Sequence, residues 1–316
     1  MSDTLLTVAN LRVNFGAQAV LRELSFEMMP GETVGLVGES GSGKSTLARA
    51  ILRLIPISSG RVLFDGIDLG AVRARALSRC RRDLQIIFQD PLASLNPRMS
   101  VAEALAEPLR IHEPALRAQE RHSRVAAMLE RVGLEADAAR RYPHEFSGGQ
   151  CQRIGIARAM MLNPRLLICD EPVSSLDASI QGQIVNLLCD LQRQLGTAML
   201  FISHNLAVVR HLSRRVLVIY RGRLVEVAEC DALFAAPAHP YTRALLASVP
   251  RRDVRPDEIP TPAEEAPAAP AGAAGCAFHA RCAYARASCL RAEPPLEEVA
   301  AGHFAACYRW REVVYS

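Results

Sequence analysis

The stretch 33-TVGLVGESGSGKSTLARAILRLI-55 decides the fold. TVGLVG is a short apolar run that passes straight into glycines, the pattern of a buried strand. STLARAILRLI has the apolar spacing of a helix. Between them, 38-GESGSGKST-46 satisfies G-x-x-x-x-G-K-[ST]. Glycines at 38, 41 and 43 let backbone N–H groups curl around phosphate oxygens. Lys44 offers a point charge to the outer phosphates, and the Ser45 hydroxyl can ligate Mg2+. Gly38, Ser40, Gly41, Gly43, Lys44, Ser45 and Thr46 form the expected nucleotide-binding set. The plain alternative is a glycine-rich turn between strand and helix. The flanking elements favour a phosphate loop.

Working outward, strand-like runs occupy residues 5–15 and 20–28, and further strands are expected at 61–66, 84–89, 166–170, 198–203 and 215–220. Helical patterns fill the spaces between the later strands. Such alternation implies an α/β fold with a mostly parallel sheet covered on both faces. Residues 92–162 break the rhythm. They are rich in Ala, Leu, Glu and Arg with almost no strand signal, which predicts a helical insert. Residues 251–275, RRDVRPDEIPTPAEEAPAAPAGAAG, are too poor in large apolar residues to fold alone and read as a linker. A cysteine-containing tail, 276–316, follows. No internal repeat is present.

Half of the residues are apolar, 22% are charged and the net charge is +4, an ordinary globular composition. The arginines are scattered, so no nucleic-acid stripe is expected. No apolar run reaches membrane-spanning length. The N-terminus lacks the charged and apolar regions of a signal peptide, which predicts a cytosolic chain.

Other motifs end strands in polar residues. 166-LLICDEP-172 closes on two acids. Asp170 at the strand tip suits a metal, and Glu171 can polarise a water toward a γ-phosphate. A turn or cap before Pro172 is the alternative. His204, after the strand in 200-LFISHNLAVV-209, can donate a hydrogen bond to the same phosphate, or can be an ordinary structural histidine. Gln89 follows LQIIF and can reach Mg2+ or the attacking water. Finally, 145-EFSGGQCQRIGIARAM-160 places Ser147, Gly148, Gly149 and Gln150 at the start of a helix. Its free N–H groups and positive dipole end can receive an anion, although a Ser-capped helix explains the same letters.

These motifs resemble one family. GESGSGKST, Gln89, FSGGQ, LLICDEP, SSLD at 174–177 and His204 stand in the order and spacing of ATP-binding cassette (ABC) transporter ATPases, over about residues 4–250. FSGGQCQRIGIARAM, CDEPVSSLDASIQGQIVNLLCDLQ, SLNPRM and 238-AHPYTRALLASVP-250 are similar to the oligopeptide and dipeptide importers, especially the second of their paired ATPases. The resemblance implies a P-loop NTPase (RecA-like) core at 4–91 and 163–230 with an N-terminal antiparallel β subdomain. It also implies an inserted helical subdomain at 92–162, a peptide-importer extension at 231–250 and a cysteine-containing C-terminal extension.

It further implies two ATPases packed head to tail around two ATP molecules with Mg2+. Ser147, Gly148, Gly149, Gln150 and Asp177 then serve the ATP held by the partner's phosphate loop, which answers why one chain carries two anion-binding loops. Ser45, Gln89 and Asp170 would hold Mg2+; Glu171, His204 and Gln89 would be catalytic. Implied partners are a second ABC ATPase, expected to be a paralogue, two transmembrane permease subunits and, indirectly, a substrate-binding protein. The chain would sit peripherally on the cytoplasmic face of the inner membrane. An importer of nickel or another small solute is the alternative within the branch; a soluble non-transport ABC ATPase is a further one, disfavoured because neither a long coiled-coil insert nor a second cassette is seen in the sequence. Three residues need comment against the common pattern: Phe146 replaces leucine, Cys151 replaces a basic residue, and Phe15 stands where the family stacks an aromatic on adenine but reads equally as a core residue.

The chain has nine cysteines. Cys80, Cys151, Cys169, Cys189 and Cys230 are dispersed and read as small buried hydrophobes or inert thiols. Cys276, Cys282, Cys289 and Cys307 crowd the tail. Four thiolates at this spacing suit a [4Fe–4S] cluster. The tight cysteine pairs that zinc prefers are absent, although His279 and His303 keep a mixed zinc site open. Unmetallated thiols are the third reading, and disulfides are disfavoured in the cytosol.

Overall fold

A computed structural model describes residues 4–247 and 275–314. Most of the expected linker, 251–275, and the last three residues of 238–250 lie outside the described residues. In chain order the elements begin with strands β1 (Leu6–Phe15), β2 (Gln18–Met28) and β3 (Thr33–Val37), then helix α1 (Lys44–Ile51). Next come β4 (Ser59–Phe64), β5 (Ile67–Asp68), α2 (Ala74–Asp83), β6 (Leu84–Ile87), α3 (Pro91–Ser94), α4 (Val101–His112), α5 (Ala118–Arg131) and α6 (Gly148–Met160). They continue with β7 (Leu166–Asp170), α7 (Ala178–Leu195), β8 (Ala198–Ser203), α8 (Leu206–Leu212), β9 (Arg215–Tyr220), β10 (Arg223–Glu229), α9 (Cys230–Ala235) and α10 (Pro240–Ala247). The tail adds α11 (Ala287–Arg291), β11 (Glu297–Ala300), β12 (His303–Ala305) and α12 (Trp310–Val314).

The chain divides into two compact units. One comprises Met1–Thr7, Glu27–Glu32 and Leu63–Ile202. Its sheet is parallel: β6 pairs with β7 and β7 with β8, in register from Leu84↔Leu166 and Leu166↔Ala198. Every residue of β7 and β8 is buried, as expected of strands covered on both faces. Each of Leu166, Leu167 and Ile168 then contributes about 1.5–3 kcal/mol of apolar burial. The helices α4, α5 and α6 contact one another in this unit. Local chemistry sets their starts. In α4, Ser100 and Glu103 form a reciprocal capping box, with Ser100 N–H donating to Glu103 Oε2 at 2.8 Å. Helix α7 stops at Gly196, whose φ of +64° only glycine adopts readily.

The other unit comprises Val8–Phe26, Thr33–Val62 and Ser203–Ser316. β1 and β2 form a hairpin, and the antiparallel order β2-β1-β4 runs through it. β3 pairs in parallel with β9, while β9-β10, β10-β12 and β12-β11 are antiparallel. The cysteine tail is therefore stitched to the sheet edge, through Glu226↔Ala305 and Val227↔Phe304. The strand expected at 61–66 lies at Ser59–Phe64, because Asp65 and Gly66 turn the chain with positive φ. The strand expected at 84–89 ends at Ile87.

Candidate functional site

In the second unit, the fully buried strand β3 delivers the chain into residues 38–43. Gly41 and Gly43 take φ of +75° and +107°, which a side chain would strain. A Cβ on Gly38 would meet Ile219 O at 2.3 Å, and one on Gly43 would meet Leu21 Cδ2 at 2.8 Å. Helix α1 starts at Lys44 with no side-chain cap on its first N–H groups. An uncapped helix start fed by left-handed glycines is an anion cradle, so these residues fit a nucleotide phosphate. Lys44 is buried and arches back, Nζ donating to Gly38 O at 2.8 Å and Glu39 O at 2.9 Å. The loop is tied down by Gly222 N–H to Ser42 O (2.9 Å) and Arg22 N–H to Gly222 O (2.8 Å). His204 is exposed at the start of the Asn205-capped helix α8. Phe15, at the end of β1, is 52% exposed, so its ring is available for stacking.

In the first unit, Asp170 is buried at the tip of β7. Glu171 takes φ of +49°, a left-handed conformation that a non-glycine residue holds only against strain, and its N–H donates to Ile202 O at 3.0 Å. The structure brings Gln89 to Glu171, Nε2 to Oε2 at 3.4 Å, and Ser174 Oγ donates to Glu171 O at 3.1 Å. Burial, and then Asp170, push the Cys169 thiol up, so it stays protonated.

Ser147 caps α6, and Ser147 and Gln150 form a capping box: Ser147 N–H donates to Gln150 Oε1 at 3.0 Å and Gln150 N–H to Ser147 Oγ at 3.4 Å. The Ser-capped helix is thus real in the single chain. Ser147, Gly148 and Gln150 are nevertheless exposed, so the cap faces outward. Gly149 is required by packing, since a Cβ would stand 2.7 Å from Ile180 Cγ2. The departure at Cys151 has a physical reason. The residue is fully buried and its S–H donates to Pro143 O at 3.4 Å, where a basic side chain has no room. Phe146 lies under the Arg141 guanidinium, 4.3 Å from the ring centroid. Asp177 is the exposed N-cap residue of α7.

In the tail, three cysteines share a local device: N–H groups of Phe278, Tyr284 and Arg309 donate to the sulfurs of Cys276, Cys282 and Cys307, two residues upstream in each case. Cys276 N–H donates to Cys289 O at 2.7 Å. Burial, and then the other three thiols, push Cys307 up to about 12. The four thiols therefore share one neighbourhood. Among the described residues, however, no three of His, Cys, Asp and Glu are arranged to hold a metal ion. His303 is committed elsewhere, its Nε2 lying 2.7 Å from the fully buried Glu226 Oε1.

Sequence reading missed three residues that shape this site. Tyr241 donates through no charge and looks like core, yet its Oη accepts the Glu39 N–H at 2.7 Å. Arg281 grips the Glu39 carboxylate with two bonds of 2.8 and 2.9 Å. Glu226 accepts the N–H groups of Ala238 (2.6 Å) and His239 (2.9 Å). The only available signal was the AHPYT segment itself, whose His239 Nδ1 takes the Tyr241 N–H at 3.0 Å.

Two family models match the chain: ABC transporter over residues 21–174, and the oligopeptide/dipeptide transporter C-terminal region over 225–289. The Brucella ovis protein named putative peptide import ATP-binding protein is 48% identical across 98% of this chain and 99% of its own. The oligopeptide transport ATP-binding protein OppF of Escherichia coli is 48% identical across 93% of this chain and 92% of its own. Among solved structures, cbiO1 of Clostridium perfringens, described as part of the ABC transporter complex cbiONQ, is 29% identical with a TM-score of 0.66, over 74% of this chain and 92% of that one. A dimeric post-hydrolysis state of the cassette MJ0796 bound to ADP and Pi is 28% identical with a TM-score of 0.65, over 72% of this chain and 99% of that one.

Proposed function

The chain belongs to the ABC transporter ATPase family, and from that membership we propose that it is the ATP-hydrolysing subunit of a bacterial oligopeptide or dipeptide importer. One observation carries the catalytic part: an uncapped helix start, approached through left-handed glycines, with Lys44 folded over the loop. Backbone N–H groups of residues 41–46 and Lys44 hold the phosphates, and Phe15 stacks on the adenine. Ser45, Asp170 and Gln89 are the residues that would hold Mg2+, which when bound would neutralise phosphate charge. Glu171 accepts a proton from the attacking water, Gln89 and Ser174 hold its carboxylate and backbone, and His204 steadies the γ-phosphate. In the assembled pair, Ser147, Gly148, Gly149 and Gln150 leave their outward-facing cap to meet the ATP of the partner, and Asp177 lies beside them.

The pair is completed by a paralogous ATPase and two permeases, with residues 92–162 acting as the helical docking subdomain. A cavity of about 240 Å3 supports the docking reading; it is lined by Gln85, Phe88, Glu107, Ile111, Gln152 and Arg158 among others. Both amide atoms of Gln152 are buried there without a hydrogen-bond partner among the described residues. A short permease helix seated in the cavity, next to Gln89, would feel the nucleotide state. No helix among the described residues is long and apolar enough to cross a membrane. Attachment to the cytoplasmic face would run through the permeases. Cys276, Cys282, Cys289 and Cys307 would be the ligands of a [4Fe–4S] cluster, a reading that rests on four cysteines falling within one short stretch and not on their arrangement in the structure.

The test is Glu171→Gln in the reconstituted complex. Turnover should fall by at least about a hundredfold while ATP affinity is kept, and the closed pair should accumulate. Parental turnover would remove Glu171 from its role.

A further inference from the structure

Glu39, the second residue of the phosphate loop, is held at all of its polar groups. Its N–H donates to Tyr241 Oη at 2.7 Å, and its carbonyl accepts Lys44 Nζ at 2.9 Å. Its two carboxylate oxygens accept a fork of bonds from Arg281, at 2.8 and 2.9 Å. Two of these three holds come from beyond residue 240, far outside the loop. Both are rigid. Tyr241 is fully buried and packs on Tyr220 and Phe278, with ring centroids 4.5 and 5.5 Å apart. Arg281 closes the tight turn that begins at Cys276: His279 N–H donates to Cys276 O, Arg281 N–H to Phe278 O and Cys282 N–H to His279 O. Its guanidinium also lies over the Phe278 ring at 5.4 Å.

The loop's task is to receive polyanions, and a carboxylate on it opposes that task. Arg281 cancels the charge where it arises. The side chains of Arg281 and Glu39 are 17% and 40% exposed, so the pair is partly screened.

We propose that Arg281 is a positioning residue for the phosphate loop: it fixes the Glu39 backbone through its carboxylate and neutralises that carboxylate, so the C-terminal tail sets this chain's affinity for nucleoside triphosphate. This rests on the reading that residues 38–46 hold ATP. The tail turn bounded by Cys276 and Cys282 thereby becomes part of the nucleotide site.

The test is equilibrium titration of the full-length chain with a fluorescent ATP analogue and Mg2+. Arg281→Ala should weaken binding about three- to tenfold at low salt, and the loss should shrink as salt rises. Glu39→Gln placed in the Arg281→Ala background should restore part of the affinity, because the uncompensated charge is then gone while the fork that fixes residue 39 stays lost. A merely structural role for the tail would give no such rescue. Wild-type affinity in Arg281→Ala, or a double variant as weak as the single, overturns the proposal. Should Arg281→Ala fail to fold by circular dichroism, Arg281→Lys decides. A smaller loss that Glu39→Gln relieves supports the proposal, and unchanged binding refutes it. Lys44→Ala separates the underlying reading. If it binds like wild type, the loop itself is misassigned; if only Lys44→Ala weakens binding, the inference alone fails.

Discussion

Removing the imidazole of His303 tests how the tail is held to the sheet. Glu226 is fully buried on β10 and its carboxylate accepts three donors: Ala238 N–H at 2.6 Å, His239 N–H at 2.9 Å and, across the β10-β12 pairing, His303 Nε2 at 2.7 Å. His303→Ala deletes the donor from the tail and leaves part of a buried carboxylate without a partner. A hydrogen bond to a charged group is worth about 1.5–3 kcal/mol, and breaking one side of a buried pair costs about 3–5 kcal/mol. The two backbone donors remain, so the lower part of that range applies, about 3 kcal/mol. The chain has one tryptophan, Trp310 in α12, and Arg243 of α10 binds Val313 O of that helix at 2.9 Å. Its fluorescence therefore follows detachment of the tail during urea unfolding. With a slope of about 1–3 kcal/mol per molar urea, the midpoint should fall by about 1–3 M. His303→Gln, which can still donate to Glu226, should recover roughly half of the loss. A change below about 0.5 kcal/mol in His303→Ala, or equal losses in both variants, would refute the assignment of Glu226 as the tail's anchor.

Acid should weaken the same region. Burial pushes His239 down from 6.5 to about 3, and its Nδ1 already accepts the Tyr241 N–H. The folded chain keeps this ring neutral, so its contribution is fully present above pH 6.5 and is lost as pH falls toward 3. Between pH 7 and 5 the loss should be about 2 kcal/mol, and His239→Asn should flatten that slope in urea titrations run across the range. Anaerobic purification should yield about four irons per chain with a broad visible absorption, abolished by Cys289→Ser; a colourless, iron-free chain would remove the cluster. Gly43→Ala should lose nucleotide binding, because φ is +107° there and the added methyl would stand 2.8 Å from Leu21 Cδ2; binding within about twofold of wild type would contradict the cradle.

The phosphate loop was legible because its geometry is local. Only glycine serves comfortably at Gly41 and Gly43, and a strand and a helix must flank them. Gly149 carried a double meaning that letters alone could not separate, since the close approach of Ile180 requires it whatever the loop binds. The pairing of β10 with β12 left no mark in the sequence. It joins segments about 80 residues apart across a Pro/Ala-rich stretch, and strand pairing depends on partners that no local pattern names. Glu226 was equally hidden, because an acid between Val225 and Val227 looks like the solvent side of a strand. It is buried only because three donors converge on it from elsewhere. Arg281 looked like one more scattered arginine until the fold set its fork against Glu39.

The most direct measurement records ATP turnover per chain and association state, by sedimentation, over the same range of concentrations with the ATPase partner. Under the proposed pairing, turnover should rise in step with the fraction of paired chains and vanish in the monomer, because each phosphate loop would wait for a Ser147 loop from the other subunit. Full turnover by chains that sediment as monomers would contradict it.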